Sequence, residues 1–129
     1  IMDAKAATGV GTTATVREHR HKIVTITAAA NSSLTFKFQA SNGKSTTSDD
    51  APTFSSAQSS TNLWDYTSAY DLQSGSLIAG DTGVTLDNDT AANNTRRYLI
   101  NDDHCQYINI DLTSYTDGSL TAVGSFVND

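Results

Sequence analysis

The sequence has few residues of the types that form cross-links, bend the backbone or carry a positive charge. Its 129 residues include one Cys, one Pro, one Trp, one Met and one Glu. A single thiol cannot close a disulfide within the chain, and Cys105 has no further cysteines with which to build a zinc framework. The eight Lys and Arg residues face 14 acidic ones, which gives a formal charge of −6. Nucleic-acid binders neutralise phosphates with clustered basic residues, so this balance argues against a nucleic-acid partner.

Long apolar runs are also missing. No stretch approaches the roughly 20 apolar residues that cross a bilayer as a helix, so we expect no membrane partner. Glu, Lys and Arg together supply nine residues, whereas Thr and Ser supply 34. This composition disfavours helices and favours strands joined by turns. A chain of this length buries about two-thirds of its unfolded surface, so one domain can form a core without disulfides or metals.

Residue alternation predicts the main strands. Residues 22–27 are β-branched at five of six positions, which is typical of a central strand. Residues 34–40 alternate apolar and polar side chains with period two. The short connection between these strands predicts a hairpin, with the two strands paired antiparallel. A second hairpin is predicted at the C-terminus, where Asp-Gly at 117–118 separates strands at 108–112 and 120–127.

The remaining segments are shorter or more polar. Residues 1–15 are small and polar and are predicted to form an extended N-terminal arm. Residues 42–60 contain a single aromatic residue and are predicted to form a long surface loop. Glycines flank short strands predicted at 77–78 and 84–86, and a further short strand is predicted at 97–100.

Together these segments predict an all-β fold. With seven to eight short strands and no helix-length periodic window, residues 16–129 are expected to form a single antiparallel β-sandwich with jelly-roll-like winding. Residues 1–15 form the arm in front of this domain. Small residues suit an arm that adds a strand to a neighbour's exposed sheet edge, because such pairing uses main-chain hydrogen bonds.

Two clusters of metal-ligating residue types occur, and neither is a complete site. His19 and His21 lie two residues apart, a spacing that places both imidazoles on one face of a strand. An Asp-Asp-His-Cys run at 102–105 forms the second cluster. A metal site needs ligands that converge, and nothing in the sequence brings the two clusters together. We therefore predict no metal ion, and a solvated or interface position for the two histidines.

Catalytic signatures are missing as well. The Asp-Asn-Asp run at 87–89 is similar to the start of a calcium loop, but the glycine and the distal Glu of an EF-hand are absent. The lone Glu18 lies between Arg17 and His19, which indicates a surface ion pair and not half of a glycosidase carboxylate pair. No Gly-x-Ser-x-Gly elbow is present. We predict no enzymatic activity, no catalytic residue and no cofactor; calcium between acidic loops stays an open alternative.

Aromatic residues offer one binding alternative. Trp64, Tyr66 and Tyr70 alternate on one face of a predicted strand, and exposed rings of this type can stack on sugars. The chain has only ten aromatic residues, and a core without these three would have few large side chains. We predict that this face joins the core, with a carbohydrate-binding face as the alternative.

Several short segments, taken in order, resemble small structural proteins of tailed bacteriophages, namely head decoration, cement or accessory proteins. None of these segments is a catalytic signature. They span nearly the whole chain: residues 7–11 (ATGVG), 21–27, 34–41, 54–58 (FSSAQ), 62–66 (NLWDY), 80–84 (GDTGV), 98–101 (YLIN) and 113–119 (TSYTDGS).

The resemblance implies a non-enzymatic virion protein. Such a protein is an all-β protomer on the outer surface of a capsid or tail, often a homo-oligomer such as a trimer, in contact with the major capsid protein or other virion proteins. A cement protein binds the assembled lattice and not the loose subunits, and binding to one state stabilises that state. Two alternatives stay open: a carbohydrate- or receptor-binding module of a tail fibre, and a subunit of an extracellular filament.

Overall fold

Strands account for most of the computed structural model. It describes residues 2–16, 19–29, 31–41, 64–86, 94–102 and 105–127. Twelve strands lie within these residues, and all of their pairings are antiparallel. In chain order they are β1 (Met2–Lys5), β2 (Gly9–Val10), β3 (Ala14–Thr15), β4 (His21–Ala28), β5 (Ser33–Ser41), β6 (Asp65–Tyr66), β7 (Ala69–Asp71), β8 (Ser76–Ile78), β9 (Val84–Leu86), β10 (Asn94–Ile100), β11 (Tyr107–Asp117) and β12 (Leu120–Val127). The all-β prediction is confirmed, whereas the predicted count of seven to eight strands is not.

The strands form two sheets that pack against each other in a β-sandwich-like fold. The first sheet has the order β1-β12-β4-β10-β7-β8. In the second sheet β2, β11, β5 and β6 lie side by side, while β3 also pairs with β11 and β9 with β5. Tyr98 of β10 contacts Phe36 and Phe38 of β5, with ring centroids 6.1 and 5.2 Å apart. Aromatic side chains therefore join the two sheets.

The core lies between the sheets because alternate side chains of the long strands point inwards. In β4, and in β5 as far as Phe38, every second side chain is buried. The residues that β4, β5 and β11 contribute to the core cluster are Val24, Ile26, Ala28, Leu34, Phe36, Phe38, Ala40, Ile108, Ile110 and Leu112. Full burial of one large apolar side chain contributes about 1.5–3 kcal/mol. β4 lies between β12 and β10, so the prediction of a central strand is confirmed.

Both predicted hairpins are wrong. β4 pairs with β10 and β12 in the first sheet, whereas β5 pairs with β11, β6 and β9 in the second. The C-terminal strands β11 and β12 likewise belong to different sheets. Two short connections therefore cross from one sheet to the other and do not turn back within a sheet.

The two crossings contact each other at one end of the sandwich. Asn31 has a φ of 62° and Gly118 a φ of 94°, so each connection contains one residue with a left-handed backbone. The Ser32 hydroxyl donates to the Ala29 carbonyl at 2.6 Å, and the Ala29 N–H donates to the Ser119 carbonyl at 3.1 Å. Residues with positive φ occur in tight turns and, here, in both crossings between sheets, so an Asp-Gly pair does not distinguish the two. Burial of the apolar faces of both strands favours the crossing.

Residues 2–15 run along the edges of both sheets. β1 pairs with β12, where Met2 lies opposite Ala122 and is buried in the core. β2 and β3 both pair with β11 in the second sheet. Main-chain pairing does not require apolar side chains, which explains how such a polar segment forms strands. In this structure the predicted arm thus pairs within its own chain, and the boundary between residues 15 and 16 stays a prediction.

The shorter predicted strands have clear counterparts. β8, β9 and β12 confirm the strands predicted at 77–78, 84–86 and 120–127. β10 and β11 include the strands predicted at 97–100 and 108–112 but are longer, because polar residues at their ends also pair. The loop predicted at 42–60 lies outside the described residues.

Two glycine substitutions test the packing of the crossings. A Cβ added at Gly118 would lie 2.6 Å from the Ser32 Cα, whereas Gly75, with a φ of 74°, has no atom within 4 Å of the added Cβ. Both variants place alanine in a left-handed backbone conformation, which is unfavourable, but only Gly118→Ala also displaces a neighbouring residue, Ser32. We expect Gly118→Ala to reduce the free energy of unfolding by about 2–4 kcal/mol and Gly75→Ala by about 1 kcal/mol. Urea unfolding measures both, and equal losses would contradict the proposed contact.

Candidate functional site

The outer face of the first sheet is the candidate site, because it exposes apolar side chains. All five large apolar side chains that are exposed among the described residues belong to this sheet or directly follow one of its strands. They are Tyr70, Leu72, Leu77, Val123 and Val127. Contiguous exposed apolar surface commonly marks a protein contact. We call this outer surface the contact face.

Strand register aligns a row of apolar side chains across the contact face. Ile23 lies opposite Leu99, Leu99 opposite Tyr70, and Tyr70 opposite Leu77. Ile23 and Leu99 are half-buried, whereas Tyr70 is 38% and Leu77 55% exposed. Neighbouring strands lie about 4.8 Å apart, so this apolar row extends over roughly 14 Å.

A second line of outward side chains runs beside the apolar row. Val123, Thr25 and Arg97 occupy paired positions on β12, β4 and β10. The Leu72 N–H donates to the Arg97 carbonyl at 3.0 Å and extends this line beyond β7. Arg97 is exposed, and the described outward positions of β12, β4, β10, β7 and β8 carry no carboxylate. Across these five strands the contact face therefore carries apolar side chains and a positive charge, whereas Asp3 is exposed on the neighbouring edge strand β1 and the chain as a whole is acidic.

An ion pair on the inner side of the sheet holds the end of the apolar row in place. Arg96 Nη1 donates to Asp71 Oδ2 at 3.1 Å and joins β10 to β7. Asp71 Oδ1 accepts the N–H groups of Gln73 at 2.9 Å and Ser74 at 3.3 Å. The Asp71 carbonyl accepts the Gly75 N–H at 2.8 Å. These contacts define the turn between β7 and β8, and with it the position of the two exposed side chains of the row.

The Asp71 carboxylate is stabilised in its charged form. Burial alone raises its pKa, but the N–H groups of Gln73 and Ser74 and the Arg96 guanidinium outweigh this effect. The pKa of Asp71 therefore lies below the ordinary value of an aspartate. The ion pair with Arg96 persists into the acid range.

The two histidines lie in different surroundings. His21 is the first residue of β4 and its side chain is half-buried on the contact face. His19 precedes that strand, and its ring centroid lies 6.2 Å from that of Phe126. Among the residues that the structure describes, no three His, Cys, Asp or Glu side chains are grouped closely enough to hold a metal ion. Glu18 and residues 87–89 lie outside the described residues.

A buried lysine connects the start of β4 to the second predicted cluster. Lys22 is fully buried, and its Nζ donates to the Asp102 carbonyl at 3.0 Å. The Cys105 thiol donates to the same oxygen at 3.4 Å. Lys22 was not predicted from the sequence, because lysine is almost never fully buried. The available signal was alternation, which places position 22 on the inward side of β4. Residues 103–104 lie outside the described residues.

The prediction that three aromatic residues share one face is wrong. Trp64 is buried, and Tyr66 belongs to β6 of the second sheet, whereas Tyr70 belongs to β7 of the first. The chain changes sheet between these strands, so the period-two pattern does not continue. The Tyr66 hydroxyl donates to Asp111 Oδ2 at 3.0 Å. Burial and the Asp111 carboxylate raise the pKa of Tyr66 to about 12, so the hydroxyl stays protonated at neutral pH.

The outer side of the second sheet differs from the contact face, because polar residues there are buried. Gln39 of β5 lies opposite Asn109 of β11, and neither residue is exposed to solvent by more than 2%. The Asn109 amide donates to the Gly11 carbonyl at 3.0 Å and to Thr13 Oγ1 at 3.4 Å. The N-terminal segment therefore covers part of this side, and the first sheet provides the more open face.

No protein-family model, curated protein or solved structure matches this chain. No helix among the described residues is long and apolar enough to span a membrane. The function is therefore inferred from the geometry of the fold and of the contact face.

Substitution of Asp71 tests the ion pair. Because the folded-state pKa is lowered, the contribution of Asp71 to stability is complete above its unfolded-state pKa and is lost as pH falls through the folded-state value. We expect Asp71→Asn to lower the free energy of unfolding by about 1–3 kcal/mol at pH 7. The difference from the wild type should be smaller at about pH 3 than at pH 7, because the carboxylate is protonated as the pH falls into the acid range. Urea unfolding of the variant and the wild type at both pH values measures this difference.

The control for this prediction is Asp3→Asn, which changes an exposed carboxylate on β1. We expect this variant to match the wild type within about 0.5 kcal/mol at neutral pH. A loss for Asp71→Asn that is equally large at both pH values would contradict the role of the charge.

Proposed function

We propose that this protein is a non-enzymatic structural protein of a tailed-phage virion, a capsid decoration protein that stabilises the shell through protein–protein contacts. The observation that carries the proposal is the concentration of all exposed large apolar side chains of the described residues on one sheet. A location on the outer surface of a capsid or tail, and assembly as a homo-oligomer such as a trimer, belong to the same proposal. The resemblance of the sequence to decoration proteins supports it.

The chemistry of the contact face indicates what kind of partner surface fits. The apolar row spans four strands, and Arg97 stands beside it with no carboxylate at the described outward positions of those strands. A complementary surface is apolar at its centre and acidic at its rim. We assign this role to the major capsid protein or another virion protein. Because only the assembled lattice offers such a surface repeatedly, binding favours the assembled state.

The winding of the chain belongs to the proposal as well. The connections from β4 to β5, from β10 to β11 and from β11 to β12 each pass from one sheet to the other. Such crossings support a jelly-roll-like winding of the sandwich, a common architecture of virion proteins.

A pair of double variants tests the contact face. Leu77→Asp combined with Val123→Asp places two carboxylates among its most exposed apolar residues. Thr113→Asp combined with Thr116→Asp places the same charge on exposed positions of β11 in the second sheet. We expect the first pair to weaken attachment at least about tenfold, since each lost apolar contact costs about 1 kcal/mol or more, and the second pair to have little effect.

The measurement is co-sedimentation with empty heads assembled from the major capsid protein of the same genome, after circular dichroism has shown that both double variants fold. Attachment that is unchanged by the first pair, or equally reduced by both, would overturn the assignment of the contact face. Filaments of the purified protein in negative stain would favour the filament subunit instead. Specific binding on a glycan array that is lost in a folded Tyr70→Ala variant would favour a receptor-binding module.

A disulfide between β1 and β12 tests the role of residues 1–15. Met2 lies opposite Ala122, so Met2→Cys with Ala122→Cys can lock the N-terminal strand onto its own sheet. We expect the oxidised and reduced forms to attach equally well, because the contact face does not require β1 to move. Attachment by the reduced form alone would instead mean that residues 1–15 act as an arm that pairs with a neighbour.

A further inference from the structure

A cavity of about 240 Å³ lies between the two sheets. Ile26 and Ile78 of the first sheet and Phe36, Val84 and Leu86 of the second form its apolar walls. An engineered apolar cavity of about 150 Å³ holds a benzene molecule, so this volume fits roughly ten non-hydrogen atoms. A cavity left empty loses the dispersion contacts of its walls, and an apolar occupant restores them.

The cavity also contains polar groups, and these are concentrated around Tyr98. Tyr98 lines the cavity and is only 3% exposed, yet its hydroxyl takes part in no hydrogen bond with the described residues. Burial, together with the nearby Asp71 charge, raises the pKa of Tyr98 to about 12. At neutral pH the hydroxyl is therefore protonated and can donate a hydrogen bond.

Arg96 adds further donors to the cavity. Its side chain is 41% exposed and lines the cavity beside Asp71. Only Nη1 is engaged, with the two oxygens of Asp71, so Nε and Nη2 have no partner among the described residues. The Asp71 oxygens already accept backbone N–H groups and the guanidinium, which leaves the site with spare donors and few spare acceptors.

We propose that this cavity is a binding site for a small neutral molecule that has an apolar body and one oxygen acceptor. The apolar walls take the body, and the Tyr98 hydroxyl and the free N–H groups of Arg96 meet the oxygen. A carboxylate is disfavoured because the Asp71 charge offsets that of Arg96 and repels a second anion. An alcohol, a phenol or a ketone of about ten non-hydrogen atoms has the required chemistry. This site is separate from the contact face, because the residues of the first sheet that line it lie on the inner side of that sheet.

The test is a titration of the full chain, observed by the amide signals of a ¹H–¹⁵N spectrum, with three matched probes: p-cresol, toluene and p-toluate. We expect p-cresol to shift the signals of the cavity-lining residues and to bind at least about threefold more tightly than toluene, which lacks the oxygen. It should also bind more tightly than p-toluate, which carries a charge. The melting temperature should rise with p-cresol concentration, because the ligand binds the folded state.

Two tyrosine variants locate the polar contact. Tyr98→Phe removes only the hydroxyl and should bring the affinities for p-cresol and toluene close to each other. Tyr70→Phe makes the same change on the contact face and should keep the preference for p-cresol. If Tyr98→Phe does not fold, the three probes on the wild type still decide the question.

A third variant, Ala28→Leu, tests whether filling the cavity prevents binding. Ala28→Leu adds side-chain volume inside the cavity and should weaken p-cresol binding in a folded protein. The absence of shifts up to the solubility limit of p-cresol, or shifts confined to the contact face, would overturn the site. Equal affinity for p-cresol and toluene in the wild type would overturn the proposed class of ligand.

Discussion

The contact of Phe36 and Phe38 with Tyr98 is the interaction on which the rest of the molecule depends. These three rings come from opposite sheets, and their centroids lie 5.2 to 6.1 Å apart. These rings set the distance between the sheets and fill the centre of the core between them. Phe36 and Tyr98 also form walls of the inner cavity. Because the same strand β10 places Leu99 on the opposite side, the packing of this core also positions the apolar row on the outside.

Alternation predicted which residues form strands better than which strands pair. β5 was predictable because residues 34–40 alternate apolar and polar side chains, and β4 because five of the six residues 22–27 are β-branched; both are local properties. Their partners were not, because Asn31 and Gly118 have the positive φ of a tight turn and yet serve as crossings between sheets. The choice between a hairpin and a crossing depends on which strand faces are buried together. Those faces are set by strands more than 60 residues away along the chain, as the pairing of Val24 with Tyr98 shows.

The candidate site was predictable only in part for the same reason. Alternation in β4 assigns Ile23 to the outer side, but the row across the sheet needs the register of strands that are not consecutive. Tyr70 was predicted to share one strand face with Trp64, because the period-two pattern continues through Thr67 and Ser68. The chain in fact changes sheet at these two residues. The cavity depends on the separation of the sheets between β4 and β9, a property that no single segment of the sequence encodes.

The edges of both sheets are short. In the first sheet the outermost strands, β1 and β8, have four and three residues, and in the second the outermost described strands, β2, β3, β6 and β9, have two or three each. A short edge offers few unpaired main-chain groups, so it is a poor template for the stacking of chains into fibrils. A protein that displays apolar residues on the outer face of a sheet is prone to such stacking at high concentration. Because the edges are this short, copies of the protein can lie close together on a surface without joining edge to edge through main-chain hydrogen bonds.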